Sequence, residues 1–241
     1  MLGGTYIDSK LRKKLEEDKS TLYVLLKNSG IVNDIYLDAF MRVPREYFVL
    51  PEYVKYAYVD TPLPIIKDAT ISAISMCLLL CHYAELKQGK TVFEVGTGSG
   101  YQAALCAEVV TGGHKREMNP RPVCSMEIDP DIYEFGKSNL ERLNYLKVVD
   151  VRLGDGSMGW VEKDRKFDAI IVTAAGKGIP EPLKYQLKIG GILVMPLEIG
   201  YDWQILVKMV RVGEKEFITR ELEPVRFVPL KGKYGIPMSE I

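Results

Sequence analysis

Histidine is scarce in this chain: His82 and His114 are the only two in 241 residues. Cysteine is also sparse, and Cys77, Cys81, Cys106 and Cys124 form no C-x-x-C pair. Too few soft ligands stand at metal-binding spacing, which argues against a zinc site. The four cysteines read as small buried hydrophobes, with Cys77 and Cys81 one turn apart on a shared helix face. Charge excess is missing too, with 32 basic residues against 32 acidic ones. That balance argues against a nucleic-acid or membrane-surface partner. No apolar run approaches the ~20 residues needed to cross a bilayer. The opening residues, Met1 to Tyr6, lack a basic-then-apolar signal pattern, so the expected location is cytoplasmic. Internal repeats and low-complexity segments are absent. Apolar residues at 47% and charged residues at 27% are ordinary for a soluble globular chain long enough to hold one large core.

The most informative stretch is Thr91-Val92-Phe93-Glu94-Val95-Gly96-Thr97-Gly98-Ser99-Gly100-Tyr101-Gln102. Val92 to Val95 reads as a buried strand of a parallel sheet. Three glycines at alternate positions follow, allowing a sharp turn and a close ligand approach. Gln102 to Val110 has helical composition. Strand, glycine loop and helix in that order are the first unit of a nucleotide-binding α/β fold. A dinucleotide fingerprint would place its third glycine or alanine at Tyr101; here it is Gly100. The G-x-G-x-G spacing, with Glu94 two residues before it, resembles the cofactor loop of S-adenosylmethionine-dependent methyltransferases. Another glycine-rich α/β turn remains an alternative for the loop taken alone.

Around this unit the chain reads as one α/β domain over residues 1–241. Its divisions are N-terminal helices and a substrate-side loop (1–70), a cofactor-binding core (71–212) and a C-terminal substrate-side segment (213–241). Leu11, Leu15, Leu22, Leu25 and Leu26 stripe a helix over 9–28, ended by Ser29-Gly30. Asn33 or Asp34 caps a second helix that Pro44 closes near Val43. Pro62 and Pro64 hold an extended segment. An apolar helix is expected from Ala69-Thr70-Ile71-Ser72-Ala73 to about Glu85, with Thr70 or Ser72 as its cap. Val123 to Glu127 reads as a second strand, and Asp129-Pro130 as a helix start. Further strands are expected at Val148–Leu153, Phe167–Val172, Ile192–Met195, Trp203–Val212 and Val225–Leu230. A helix is expected from Glu181 to Lys188, stopped by Gly190-Gly191.

The ordered set Val43-Pro44-Arg45-Glu46, Asp60-Thr61-Pro62-Leu63-Pro64-Ile65, Thr70-Ile71-Ser72 and the glycine loop is similar to the protein-L-isoaspartate O-methyltransferase family. The likeness covers roughly Val43 to Leu230. It implies a Rossmann-like S-adenosylmethionine-dependent fold, a mostly parallel sheet flanked by helices, with added N-terminal helices and C-terminal strands. It also implies methyl transfer from S-adenosyl-L-methionine to the free α-carboxylate of L-isoaspartyl residues in damaged proteins and peptides. S-adenosyl-L-homocysteine is then the product, and no metal takes part. Two departures stand out. The link Ile66-Lys67-Asp68-Ala69 lacks the family's glycines. The connection Thr111 to Pro122 is longer than the family's usual turn, and reads either as a surface loop or as a homo-oligomer contact.

Ligands of parallel sheets sit beyond the carboxyl ends of the strands. Glu94, Glu127, Asp155 and Thr173 fall at such ends. Glu127 is the expected ribose anchor, since a carboxylate accepts from both hydroxyls of a diol. Its neighbour Ile128 joins the same subsite. Asp155 and Gly156 are expected at the adenine, and Gly96, Thr97, Gly98 and Ser99 along the methionine part. Glu94 orients the loop or reaches the ammonium group through water. A carboxylate acceptor, which ordinarily titrates near pH ~4, is already ionised at neutral pH, so no general base is required. The resemblance gives Ser72, then Thr70, the role of holding that acceptor. It gives Ile71, Ala174, Phe227, Val228, Pro229 and Leu230 to the substrate side, the last four as an extended strand with an edge free to pair with peptide backbone. Two rival readings remain. One is a methyltransferase for RNA or an amine, disfavoured by Thr173-Ala174-Ala175-Gly176 where an Asn/Asp-Pro-Pro-aromatic run would stand. The other is a non-catalytic relative that binds cofactor or damaged protein without turnover.

Overall fold

The computed structural model describes residues 7–200 and 203–236. Helix α1 (Ser9–Ser29) starts where the Asp8 carboxylate accepts the Leu11 N–H at 2.7 Å, and Gly30, at φ +64°, ends it in the left-handed region. Its buried stripe is Leu15, Leu22 and Leu26; Leu25, expected on that stripe, is 61% exposed. Helix α2 (Asp34–Arg42) follows, and then two short 3-10 turns lead to a small hairpin, β1 (Leu63–Pro64) with β2 (Thr70–Ile71).

The hairpin corrects one expectation. Thr70 and Ile71 pair with Pro64 and Leu63, so helix α3 runs only from Ile74 to Tyr83. Its N-cap is Ala73, and neither Thr70 nor Ser72 caps it. Asp60, distant in sequence, does the capping instead: its carboxylate accepts the Ser75 N–H at 2.9 Å. The strand pairing and the remote cap together release both hydroxyls from structural work.

The core alternates strand and helix: β3 (Val92–Val95), α4 (Tyr101–Thr111), β4 (Val123–Glu127), α5 (Pro130–Arg142), β5 (Val149–Leu153) and β6 (Phe167–Val172). Helix α5 begins as its sequence predicts, with the Asp129 side chain accepting from the Asp131 and Ile132 N–H groups and Pro130 in the first turn. Helix α6 is shorter than expected (Glu181–Gln186), because Leu187 already pairs with Phe167 as the start of β7 (Leu187–Glu198). The glycines expected to stop a helix lie inside that strand. Gly190 is at φ +80° and a Cβ on Gly191 would meet the Phe167 carbonyl, so the pair shapes an irregular stretch of strand.

Strands β8 (Gln204–Arg211) and β9 (Phe217–Val225) complete one seven-stranded sheet in the order β5-β4-β3-β6-β7-β8-β9. The pairs from β5 to β7 are parallel, and β7-β8-β9 are antiparallel. Strand order reverses beside β3, which puts a crevice at the carboxyl ends of β3, β4 and β6. Apolar side chains cover both faces of the sheet. Val92, Ala169 and Ile171 join the core beneath the N-terminal helices, while Phe93, Val95 and Val172 pack with Trp160 and Leu183 on the other face. The expected strand Val225–Leu230 is not formed, since β9 stops at Val225 and the chain beyond it folds back over the crevice.

Candidate active site

Glycine sets the floor of the site. Gly96 follows β3 at φ +96°, and a Cβ there would collide with Thr173 Oγ1. That hydroxyl donates to the Val95 and Gly96 carbonyls at 3.1 and 2.9 Å, so Thr173 clamps the first turn of the loop. Beneath the loop the Ser125 hydroxyl donates to the fully buried Glu94 carboxylate and lies 2.6 Å from Thr97 Oγ1. Glu94 therefore supports the loop from below and does not reach the crevice wall. Burial holds its carboxyl well above the ordinary range, and Oε1 has no hydrogen-bond partner among the described residues.

Glu127, at the end of β4, turns its carboxylate upward. Oε2 accepts the Gly98 N–H at 3.0 Å; Oε1 accepts those of Ile128 and Asp129 at 2.9 and 3.2 Å. Burial raises its pKa from the usual value, while these three N–H groups pull against that shift. The carboxylate is thus held rigidly at the crevice with little of its acceptor capacity left.

The crevice opens into a cavity of about 750 Å³, within the ~300–1,000 Å³ of small-molecule sites. Gly96, Thr97, Gly98, Ser99, Glu127, Ile128 and Gly156 line it. Thr70, Ile71 and Ser72 line it as well, with Thr173, Ala174 and Phe227, Val228, Pro229 and Leu230. Every residue expected at the site reaches this cavity except Glu94 and Asp155. Asp155 is turned away from the expected adenine position. Its Oδ1 accepts from the Ser157 N–H and hydroxyl, and Oδ2 from the Lys233 N–H at 2.7 Å, so it ties the C-terminal segment to the 3-10 turn after β5.

The segment Phe227–Leu230 is also placed differently from the expected free edge. The Phe227 N–H and carbonyl are bracketed by the Gln204 side chain at 2.6 and 3.0 Å. The Val228 carbonyl accepts from Ala175 N–H at 2.8 Å, and the Leu230 N–H donates to the Ala175 carbonyl at 2.7 Å. Most of its main chain is spent inside the protein, which leaves side chains to meet a ligand. The glycine-free link closes as a turn, with Lys67 and Asp68 at φ +55° and +58° and Ile65 N–H bonded to the Ala69 carbonyl at 2.9 Å. Lys67 then crosses to Asp131 on α5 at 2.7 Å, strapping the hairpin over the crevice.

A family model described as protein-L-isoaspartate(D-aspartate) O-methyltransferase matches residues 17–235. The chain belongs to the protein-L-isoaspartate(D-aspartate) O-methyltransferase family. A protein-L-isoaspartate O-methyltransferase of Staphylothermus marinus is 43% identical over 227 residues, 93% of this chain and 99% of the relative. One from Pyrococcus horikoshii is 43% identical over 224 residues, covering 92% and 97% of the two chains. The crystal structure of a Plasmodium falciparum protein-L-isoaspartate O-methyltransferase in complex with S-adenosyl-L-homocysteine superposes with a TM-score of 0.76 at 29% identity, covering 87% of this chain and 96% of that one.

Within this isoaspartate methyltransferase chain, several supports of the site escape a motif reading. Ser125 sits mid-strand, Asn139 donates to the Ser99 carbonyl at 3.1 Å from α5, and Gly136 lets α5 press on the loop. Gly136 left a signal, a glycine inside an otherwise good helix; Ser125 and Asn139 left none.

Proposed function

We propose that this chain uses S-adenosyl-L-methionine to methylate the free α-carboxylate of L-isoaspartyl residues in damaged proteins and peptides. The observation that carries the reading is the shared cavity. It brings together a glycine loop, a carboxylate held by main-chain N–H groups, and Thr70 and Ser72, neither of which caps a helix. The residues present fit the cofactor. No Cβ on Gly96 intrudes at the loop, and Glu127 presents an acceptor beside it. Glu127 and Ile128 would hold the ribose and Gly96 to Ser99 the amino-acid part, with Gly156 at the base. When bound, the cofactor supplies an electrophilic methyl on a sulfonium.

The protein's own work is to position. Ser72 and Thr70 donate to one oxygen of the acceptor and leave the other free to attack. The Pro229 side of the cavity and the hairpin exclude water. Such orientation supplies up to ~7–11 kcal/mol in the best cases. The setting we infer is cytoplasmic, with neither nucleic acid nor membrane as partner, in keeping with the balanced charge. Among the described residues no helix is long and apolar enough to cross a membrane. Loop 111–122 remains our proposed homo-oligomer contact, checked by sedimentation of a chain with that loop shortened.

Two measurements test the proposal. Radiolabelled methyl should pass to an isoaspartyl peptide and not to its aspartyl twin; binding without transfer points to the non-catalytic reading. Ser72→Ala should lower kcat at least tenfold with cofactor affinity unchanged. An equal loss in both quantities removes Ser72 from the acceptor.

A further inference from the structure

Arg45 is the second largest of the fully buried side chains, at 0% exposure. It lies in the 3-10 turn Arg45–Tyr47. Nη2 donates to the Thr61 carbonyl at 3.4 Å, a long bond, while Nε and Nη1 have no hydrogen-bond partner among the described residues. Among the described residues the guanidinium makes no ion pair: its neighbour Glu46 accepts the Tyr58 hydroxyl at 2.5 Å and acts on the Tyr101 phenol only through space. A buried guanidinium without a carboxylate is costly to keep, so a fold that keeps one invites a functional reading.

The guanidinium carbon stands 5.0 Å from the centroid of the Tyr101 ring. Tyr101 lines the cavity, so its ring stands between the cation and the ligand space, and Cys77 lines the same cavity. The Arg45 charge reaches both groups: burial pushes the Cys77 thiol and the Tyr101 phenol up, Arg45 opposes that shift, and the more weakly felt carboxylates Glu94 and Asp60 at Cys77 and Glu46 at Tyr101 add to it. Cys77 in turn stands behind Ser72, with its thiol 3.8 Å from the Ser72 carbonyl. The cavity's other cations are placed differently. Lys67 is paired with Asp131, Lys231 is half-buried, and Arg226 is exposed, where solvent screens it.

We propose that Arg45 is a positioning residue for the methyl acceptor: a buried cation without an ion pair, behind the Tyr101 ring, that selects a negatively charged group at Ser72. This rests on the isoaspartyl reading above. The acceptor arrives as a carboxylate and leaves as a neutral ester, so the field favours the substrate over its product. It aids capture and ester release and does not lower the barrier, because negative charge is lost as the new C–O bond forms. At the effective dielectric of a protein interior, such a charge one side-chain layer away is worth about tenfold in affinity.

The test is calorimetry on the full chain saturated with S-adenosyl-L-homocysteine. An isoaspartyl peptide with a free α-carboxylate is compared with the same peptide carrying an α-carboxamide. Wild type should prefer the carboxylate. Arg45→Gln should cut that preference about tenfold, leave the carboxamide affinity in place, and raise KM without lowering kcat. Arg45→Lys, which keeps the charge, should retain most of the preference. Where the Gln variant does not fold, Arg45→Met fills similar volume without a charge and carries the same comparison. An unchanged preference in the neutral variants overturns the proposal, as does its loss in Arg226→Gln instead. Equal wild-type affinity for both peptides overturns this proposal alone. Failure of the wild-type complex to bind either peptide brings down the acceptor reading itself, and this proposal with it.

Discussion

Two carboxylates beside the cofactor loop do opposite work, and their surroundings decide which. Glu127 meets three N–H groups and faces the cavity; Glu94 meets one hydroxyl and faces the core. Glu127→Ala should therefore weaken S-adenosylmethionine by ~1–3 kcal/mol, the loss of a charge-assisted pair, read by calorimetry. Unchanged affinity would mean the ribose lies elsewhere. Glu94 bears on stability. Burial raises its folded pKa above the unfolded value. The native state then binds the proton more tightly, so stability falls as pH rises from the unfolded pKa through the folded one. Glu94→Gln keeps the shape and removes the titration. It should raise Tm at pH 8 and make little difference at pH 4, and equal Tm differences at both pH values would contradict this account.

Elements were legible in the sequence where the signal is local. Strands β3 and β6 are short apolar runs rich in β-branched residues, β4 lies between Pro122 and Asp129-Pro130, and that same Asp129-Pro130 pair marks the start of α5. Legibility failed where the deciding contact is remote. The hairpin strands are two residues each, too short to show a period, and Asp60 caps α3 across fifteen residues of sequence. In the same way Gln204 fixes Phe227 and Lys233 claims one oxygen of Asp155 from far along the chain, although Ser157, two residues on, holds the other oxygen. Gly136 is a mixed case: the glycine itself shows in the sequence, while the loop it packs on does not. A Cβ there would lie 2.5 Å from the Gly98 carbonyl oxygen and 3.0 Å from Thr97 Cγ2. In an isolated helix Gly→Ala gains ~1 kcal/mol; here overpacking costs ~1–3 kcal/mol and falls on backbone that cannot give way. Gly136→Ala should lower both Tm and cofactor affinity, and a higher Tm with affinity intact would show that the loop tolerates displacement.

At the scale of the whole molecule, the N-terminal helices must be locked to the cofactor core, because the hairpin that follows them lines the cavity. Apolar packing does most of this, and one buried polar junction fixes the arrangement. Glu108 on α4 is 2% exposed. It accepts from Arg42 of α2 at 2.7 Å and from the Tyr145 hydroxyl at 2.8 Å, and pairs with Lys115 at 3.5 Å. Lys115 belongs to the long loop 111–122 and lies 3.7 Å from the centroid of the Tyr145 ring. The insertion is thereby tied to its own core, along with the Met118 N–H on the Lys147 carbonyl. Arg42 and Lys115 are partly exposed and can find water once their partner is gone, whereas the buried Tyr145 hydroxyl cannot. The loss in Glu108→Ala should accordingly fall below the ~3–5 kcal/mol of a fully buried pair, at about 2–3 kcal/mol, and lower Tm by roughly 5–10 °C. Tyr145→Phe removes the other partner and should cost less, because Glu108 keeps both cations. Since the junction lies outside the cavity lining, either variant should bind cofactor normally well below its Tm. A cofactor defect that persists in the cold would mean that α4 itself had moved, and that the junction positions the glycine loop as well as the helices behind it.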